Sequence, residues 1–392
     1  MASDCKSSGG RGQLGSSTGT KQVLTVAWKR KLLCAACVLT AIAILIAGLW
    51  PFNPRPRNEV SWLTDENGLR FGDNGTVYSS DAFAITGPSP CSLEVWLQPA
   101  IEDDTNTILA FYTPEGHFPF SLDQFGDSLA LRREVRPEGD RKPNSEVWIE
   151  HAFRGRKLLF IAISSDTRQT EVFVDGEIVR TAPRFELSRK DLSGQLVLGT
   201  SPVAYATWAG DMRGIAIYGR PLTPTEIKQH FRAWTANEPP EQSLDPNFLV
   251  ALYRFDERAG PIVHNLASGP NLYIPDRFTI LHKSFLSRPW NEFHFDLGYL
   301  KDVLLNIGGF IPLGFFCCAY FGTVQHWRRA ALTAILLGAA MSLAIEILQF
   351  YIPSRDSGMT DVITNTTGTV LGVALERSKI LNALLTRAGV AL

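Results

Sequence analysis

At 392 residues the chain is too long for one ordinary domain, so two or three units are expected. Its net charge of −1 gives no electrostatic case for a nucleic-acid partner. The 45% hydrophobic content is ordinary for a soluble protein but unevenly spread, with apolar runs near both ends and an alternating middle.

Residues 1–20 are rich in Ser, Gly and Thr and show no apolar period, so residues 1–28 are expected to be a disordered cytoplasmic N-terminus. Lys29, Arg30 and Lys31 then precede Leu32 to Trp50, a run without a charge. As a helix it would be ~28 Å long, close to the ~30 Å hydrocarbon core. A cleaved signal peptide is the rival reading. The run is long for that, ends without a small-x-small site, and closes on the interfacial Trp50-Pro51-Phe52. Residues 29–52 are therefore read as a first transmembrane helix. Cys34 and Cys37 have CxxC spacing inside this run and are read as helix residues rather than a redox or metal pair.

From residue 58 to 235 the sequence reads as short strands. Leu93, Val95 and Leu97 alternate with Glu94, Trp96 and Gln98, and Lys157–Ser165, Glu171–Val174 and Gln195–Leu198 are further strands. Asp175-Gly176 between two apolar pairs signals a hairpin. Thr223, Pro224 and Glu226 spell a capped helix start: N-cap, N1 proline and the N3 acid of a capping box. Cys91 is the one cysteine in the region, which excludes an internal disulfide. Residues 236–300 are expected to connect this domain to the membrane, with one extra strand at Leu252–Asp256.

The middle domain resembles the laminin-G-like, concanavalin A-like jelly rolls. The resemblance rests on Ser92–Leu97, Phe173–Gly176, Gln195–Gly199 and Gly210–Tyr218 before the capped helix, in that order over about 170 residues. It implies an all-β sandwich and says little about a ligand. Glucanases of this fold carry an E-x-D-x-(x)-E strand, whereas Ser92–Gln98 holds a single acid, so hydrolysis here is not expected. Trp148, Tyr205 and Trp208 are candidates for stacking on sugars, with core packing as the alternative. Asp73, Asn74, Asp103 and Asp104 would suit calcium, with solvated loop acids as the plainer reading; no other metal or cofactor is expected.

Residues 301–380 are apolar again, with three runs at Val303–Gln325, Ala330–Ile352 and the short Val362–Leu375, and residues 381–392 form a tail. The expected fold is thus an α-helical membrane bundle of about four transmembrane helices plus an all-β jelly-roll sandwich outside the membrane. The basic clusters Lys29–Lys31, Arg328–Arg329, and Arg377 with Lys379 and Arg387 fall on one side if four helices cross. The positive-inside rule then expects a multi-pass protein of the plasma or inner membrane, with both termini cytoplasmic and the jelly roll extracytoplasmic.

The polar residues of these runs are patterned. Asp302, Asn306 and Gly309 share one helix face at i, i+4 and i+7, and Asp361, Asn365 and Gly368 repeat the spacing, as an internal repeat would. Gly338, Ser342, Glu346 and Gln349 share a face of the helix between them. A charge within a membrane helix costs at least ~2.5–3.5 kcal/mol unless it turns inward and finds partners. Two readings follow. Either Glu346 hydrogen-bonds Asn306 and Asn365 as structural glue, or Asp302, Asn306, Glu346, Gln349, Arg355, Asp361 and Asn365 line a polar pocket. In such a pocket Arg355 would hold a phosphate or carboxylate and the acids an amine or divalent cation.

The pattern D-x3-N-x3-F-x-P-x-G from Asp302 to Gly314, then E-x2-Q-x5-R-x5-D-x3-N-x2-G from Glu346 to Gly368, resembles the VanZ-like membrane family. The resemblance implies a cell-envelope setting and, for the namesake, an effect on glycopeptide-antibiotic susceptibility. It brings no agreed reaction, and the inserted jelly roll departs from the family's plan. The sequence carries no nucleophile–base motif, metal spacing or phosphate loop, so no catalytic residue is assigned. The leading expectation is a non-enzymatic envelope protein. Its jelly roll would bind glycan or protein, and its bundle a lipid headgroup or partner helix. A membrane enzyme acting on a lipid-linked cell-wall or polysaccharide precursor, with Glu346 or Asp361 as general base, is the alternative, and a small transporter is a third reading.

Overall fold

The computed structural model describes residues 17–83, 89–113, 115–134, 144–236, 247–293 and 295–378. The chain divides into two compact units, residues 53–283 and residues 1–52 together with 284–392.

The unit of residues 53–283 is a sandwich of two antiparallel sheets, each eight-stranded among the described residues. The first runs β1 (Val60–Trp62), β2 (Leu69–Phe71), β13 (Gly210–Tyr218), β4 (Cys91–Pro99), β9 (Leu159–Ser165), β10 (Thr170–Val174), β11 (Glu177–Ala182), with β14 (Leu249–Tyr253) also on β13. The second runs β15 (Ile262–Val263), β16 (Leu272–Tyr273), β3 (Val77–Ser79), β12 (Gln195–Leu198), β5 (Asp104–Tyr112), β6 (Phe120–Gly126), β7 (Ser128–Glu134), β8 (Asn144–Ile149). Side chains alternate across a strand, so Leu93, Val95 and Leu97 of β4 meet Ile161, Ile163, Leu109, Leu122 and Trp208 in one buried core between the sheets. The β10–β11 hairpin turns at Asp175 and Gly176, with φ of 52° and 80°, the left-handed pair that a two-residue turn of this hand demands.

The alternation that buries Leu93 would send Glu94 to solvent, yet Glu94 is only 1% exposed. The reason is α2 (Pro224–Thr235), which lies on the outer face of the first sheet. Thr223 and Glu226 form the expected capping box, and Ile227 and Trp234 pack on Phe160, Ala162, Ala216 and Leu252. Beneath this layer Glu94 Oε1 lies 2.7 Å from His230 Nδ1, and the Tyr218 hydroxyl donates to Glu94 Oε2 at 3.1 Å. A buried acid is tolerated when it is hydrogen-bonded on both oxygens.

The segment expected as a connector is largely sandwich. Strand β14 pairs with β13 from Ile215↔Tyr253 to Tyr218↔Leu249, and β16 pairs with β3 through Leu272↔Ser79 and Tyr273↔Tyr78. Ala251, Tyr253, Val263 and Leu272 enter the common core. The extra strand starts and ends three residues before the expected 252–256, because Phe255, at φ 50°, leaves the extended conformation.

The other unit is helical. The first helix, α1 (Ser17–Leu49), begins inside the span expected to be disordered; residues 1–16 lie outside the described residues. A short α3 (Pro289–Glu292) precedes α4 (Leu297–Gly322), α5 (Trp327–Phe350) and α6 (Met359–Glu376). Residues 27–49 of α1, together with α4 and α5, are long and apolar enough to cross a membrane. At 18 residues, with Asp361, Asn365 and five threonines, α6 is not among them. Its packing is unusually close instead. A Cβ built on Gly368 or Gly372 would lie 2.2 Å and 2.1 Å from the carbonyl oxygens of Ile307 and Ile311, and one on Gly314 would lie 2.1 Å from that of Thr369. Small residues at these three positions let the backbones of α4 and α6 touch. The expected tail, residues 381–392, lies outside the described residues.

Candidate functional site

In the helical unit, α1 and α5 end where α4 and α6 begin, and their polar residues gather at that end. A cavity of about 660 Å³ there is lined by all seven residues singled out by spacing: Asp302, Asn306, Glu346, Gln349, Arg355, Asp361 and Asn365. Helix geometry accounts for the gathering. Asp302, Asn306 and Gly309 present one face of α4 to the cavity, and Asp361 and Asn365 one face of α6. The apparent repeat breaks at its third position: Gly309 lines the cavity with nothing within 4 Å of a built Cβ, whereas Gly368 is pressed against α4.

The individual contacts differ from both expected schemes. Glu346, 1% exposed, does not bond Asn306 or Asn365; its Oε2 accepts the backbone N–H of Gly358 at 2.8 Å. Gly358 is the N-cap of α6, so the carboxylate sits on a helix N-terminus, where unsatisfied N–H groups favour an anion. Glu292 of α3 does the same one turn-step on, accepting from the backbone N–H of Thr360 at 3.1 Å and from its hydroxyl. Asn306 donates instead to Asp361 Oδ1 at 2.8 Å, tying α4 to α6, and Asn365 donates to Ser342 Oγ at 2.9 Å, tying α6 to α5. Gln349 donates to the Gly48 carbonyl at 2.8 Å.

Arg355 is also committed. Its Nε donates to Trp50 O at 2.8 Å and its Nη2 to Ala47 O at 2.9 Å. These are C-terminal carbonyls of α1, which lack partners within the helix, so the guanidinium acts as a cap. The expected anion hook is thus occupied by α1. Sequence spacing did not reveal Glu292, Tyr299, Asp356 and Thr360, which also line the cavity. Glu292 and Asp356 lie outside the long helices, where no periodicity marks a face.

Asn365 is a buried polar residue with an unmatched acceptor. It is 5% exposed, its Nδ2 is bonded to Ser342, and its Oδ1 has no hydrogen-bond partner among the described residues. A stranded acceptor of this kind costs about 1–3 kcal/mol unless something donates to it.

Away from the cavity, towards the start of α5 and the ends of α4 and α6, basic residues meet aromatic rings. Arg30 lies 5.9 Å from the Tyr320 ring, and Arg377 and Arg328 lie 3.9 Å and 5.2 Å from the ring of Trp327. Lys379 and Arg387 fall outside the described residues. Cys34, Cys37, Cys317 and Cys318 are all free thiols.

In the sandwich the three proposed stacking residues part company. Trp208 is fully buried and its indole N–H donates to Gln124 Oε1 at 3.0 Å, so it is a core residue and no platform for a sugar. Trp148 is 38% exposed, packs 5.2 Å from the Phe125 ring and donates to Glu146. Tyr205, 41% exposed, donates to Asn74 Oδ1 at 3.2 Å and packs on Phe278. The acids proposed for calcium fall in two different turns, Asp73 and Asn74 between β2 and β3, Asp103 and Asp104 at the start of β5. Among the described residues no group of three His, Cys, Asp or Glu side chains is placed to hold a metal ion.

Comparison with known families agrees with this architecture. Residues 248–381 match the family described as VanZ/LLP1, and residues 71–228 match the concanavalin A-like lectin/glucanases superfamily. The chain thus combines a VanZ-like region with a concanavalin A-like, laminin-G-like sandwich, and carries three helices long and apolar enough to cross a membrane. The VanZ/LLP1 match opens at residue 248, one residue before β14, and so takes in strands that the fold gives to the sandwich. No curated protein matches the chain. Among solved structures, a putative carbohydrate binding protein from Bacteroides ovatus is similar at 15% identity and a TM-score of 0.37, over 56% of this chain and 62% of that one. The receptor binding domain of botulinum neurotoxin mosaic serotype C/D is similar at 12% identity and a TM-score of 0.37, over 45% and 44%. The chain therefore spans less than two thirds of either structure.

Proposed function

We propose that the protein is a non-enzymatic membrane receptor of the cell envelope. Its helical unit binds the headgroup of a membrane lipid in the cavity between α1, α4, α5 and α6, and its jelly roll binds glycan. The observation that carries the first part is the convergence of polar residues from separate helices on one chamber of about 660 Å³. That size suits a headgroup or sugar, since ligand chambers run from roughly 300 to 1,000 Å³. A bundle needing only glue would close on its polar groups, as Asn306 and Asp361 do.

Lys29–Lys31, at the start of the apolar span of α1, and the basic ends of α5 and α6 belong in the cytoplasm by the positive-inside rule, which directs the cavity to the outer leaflet and the jelly roll outside. Glycan recognition rests on the concanavalin-like family match and on the exposed rings of Trp148 and Tyr205. On this reading, deletion of the gene alters glycopeptide-antibiotic susceptibility by changing access to a lipid-linked cell-wall precursor.

Gly309→Leu tests the cavity. It adds a side chain where a built Cβ meets nothing within 4 Å, so it fills the chamber without straining the bundle. The expected result is a normally folded protein that loses one tightly held lipid in native mass spectrometry. Unchanged lipid retention would refute the headgroup reading.

A further inference from the structure

The charge of the cavity wall identifies what kind of headgroup it takes. We infer that the chamber is selective for a ligand bearing a positively charged amine with N–H donors. This inference rests on the headgroup reading and deepens it.

Five carboxylates line the chamber, from Glu292, Asp302, Glu346, Asp356 and Asp361, against one guanidinium, that of Arg355. Two donors of that guanidinium are already given to the carbonyls of Ala47 and Trp50. Helix ends do not redress the balance. The N-termini of α4 and α6 and the C-termini of α1 and α5 meet at this end, so two positive and two negative dipole ends oppose one another. Lys301, beside Asp302 in sequence, is not on the wall. An anionic ligand would meet like charge from α3, α4, α5, α6 and the loop before α6, whereas a cation is attracted from these walls; the α1 wall carries no acid.

Asn365 supplies an independent indication. Its amide nitrogen is fixed on Ser342, which leaves the buried Oδ1 as an acceptor with no partner among the described residues, in a side chain that lines the chamber. An acceptor calls for a donor, which an ammonium group provides and a phosphate or carboxylate does not. A bare metal ion fits less well. Glu346 and Glu292 are spent on the N-terminus of α6 and Asp361 on Asn306, and no three acids are grouped as ligands among the described residues. The graded exposure suits an extended ligand: Asp302 and Asp356 are exposed, Asp361 intermediate, and Glu346 and Asn365 buried. Such an amine can come from a lipid headgroup of the ethanolamine type or from a free amine or amino sugar.

The test uses the full chain in nanodiscs of equal phosphatidylethanolamine and phosphatidylglycerol, read by native mass spectrometry. Phosphatidylethanolamine should be retained at least tenfold over phosphatidylglycerol. The ratio should fall to about one in Asp302→Asn/Asp361→Asn and by at least threefold in Asp302→Asn alone, whose exposed position spares the fold. Displacement by free ethanolamine but not by ethylene glycol would support the amine. Ethanolamine binding in pure phosphatidylglycerol discs would assign a free amine as the source, and its absence there the lipid. Equal or better retention of phosphatidylglycerol would overturn the amine inference while leaving a headgroup cavity standing. Displacement by Mg2+ and not by ethanolamine would overturn it in favour of a metal. Retention of neither lipid, with no ethanolamine binding, would sink the cavity itself.

Discussion

Glu94 in the sandwich and Glu346 in the bundle are buried to the same degree, each 1% exposed, and they do opposite things. Glu94 is closed in by His230 and Tyr218 beneath α2, with a partner on each oxygen. Glu346 holds the start of α6 through Gly358 and borders a chamber of about 660 Å³. Burial alone therefore separates neither role. What distinguishes them is whether the surrounding packing closes on the polar groups or leaves space beside them.

The largest effect expected from this contrast is at Glu94. Glu94→Ala strips both His230 and Tyr218 of their shared partner and should cost about 3–5 kcal/mol in denaturant unfolding. Glu346→Gln keeps an acceptor for the Gly358 N–H and should cost under about 1 kcal/mol, while changing what the cavity retains. Similar losses in the two variants would erase the distinction.

A second contrast lies within the bundle, between two glycines. Gly372→Leu forces a side chain into the α4 backbone and should destabilise the full chain in detergent by roughly 3 kcal/mol. Gly309→Leu should stay within about 0.5 kcal/mol in the same melt. A comparable loss at Gly309 would mean that the chamber collapses rather than persists.

The smallest effect is a pH dependence confined to the sandwich. The Arg220 guanidinium, bonded to both oxygens of Glu226, and the cap contacts with Thr223 hold the Glu226 carboxyl down to about 2. Because the folded value lies below the unfolded one, this stabilisation is fully present above about pH 4.5 and is lost as pH falls towards 2. The pair is partly exposed, so the contribution should be at most about 1 kcal/mol. Glu226→Gln should flatten stability between pH 5 and about 2; an unchanged slope would assign the dependence to other carboxyls.

Much of this was readable in the residues, and for local reasons. Alternation marks β4, Asp-Gly marks the β10–β11 turn, Thr223 and Glu226 mark the start of α2, and i, i+4, i+7 spacing puts Asp302, Asn306 and Gly309 on one face. What escaped depends on distant chain. Period-two alternation shows that Glu94 opposes Leu93, but not that a helix more than a hundred residues later covers its face. Strand β14 was legible, though three residues out of place, whereas β16 is two residues long and is recognised only by the β3 edge it completes. Arg355 reads as an anion hook until the carbonyls of α1, some three hundred residues earlier, arrive beside it. Glu292 and Asp356 sit outside any periodic segment.

Whether the chamber beside Asn365 is a ligand site can be seen in a cryo-electron microscopy map of the full chain in lipid nanodiscs. Connected density is expected in the cavity, with a donor within about 3 Å of Asn365 Oδ1 and the density extending towards Asp302. A cavity filled only by water, or Asn365 Oδ1 turned onto a protein donor with the chamber closed, would contradict a ligand site.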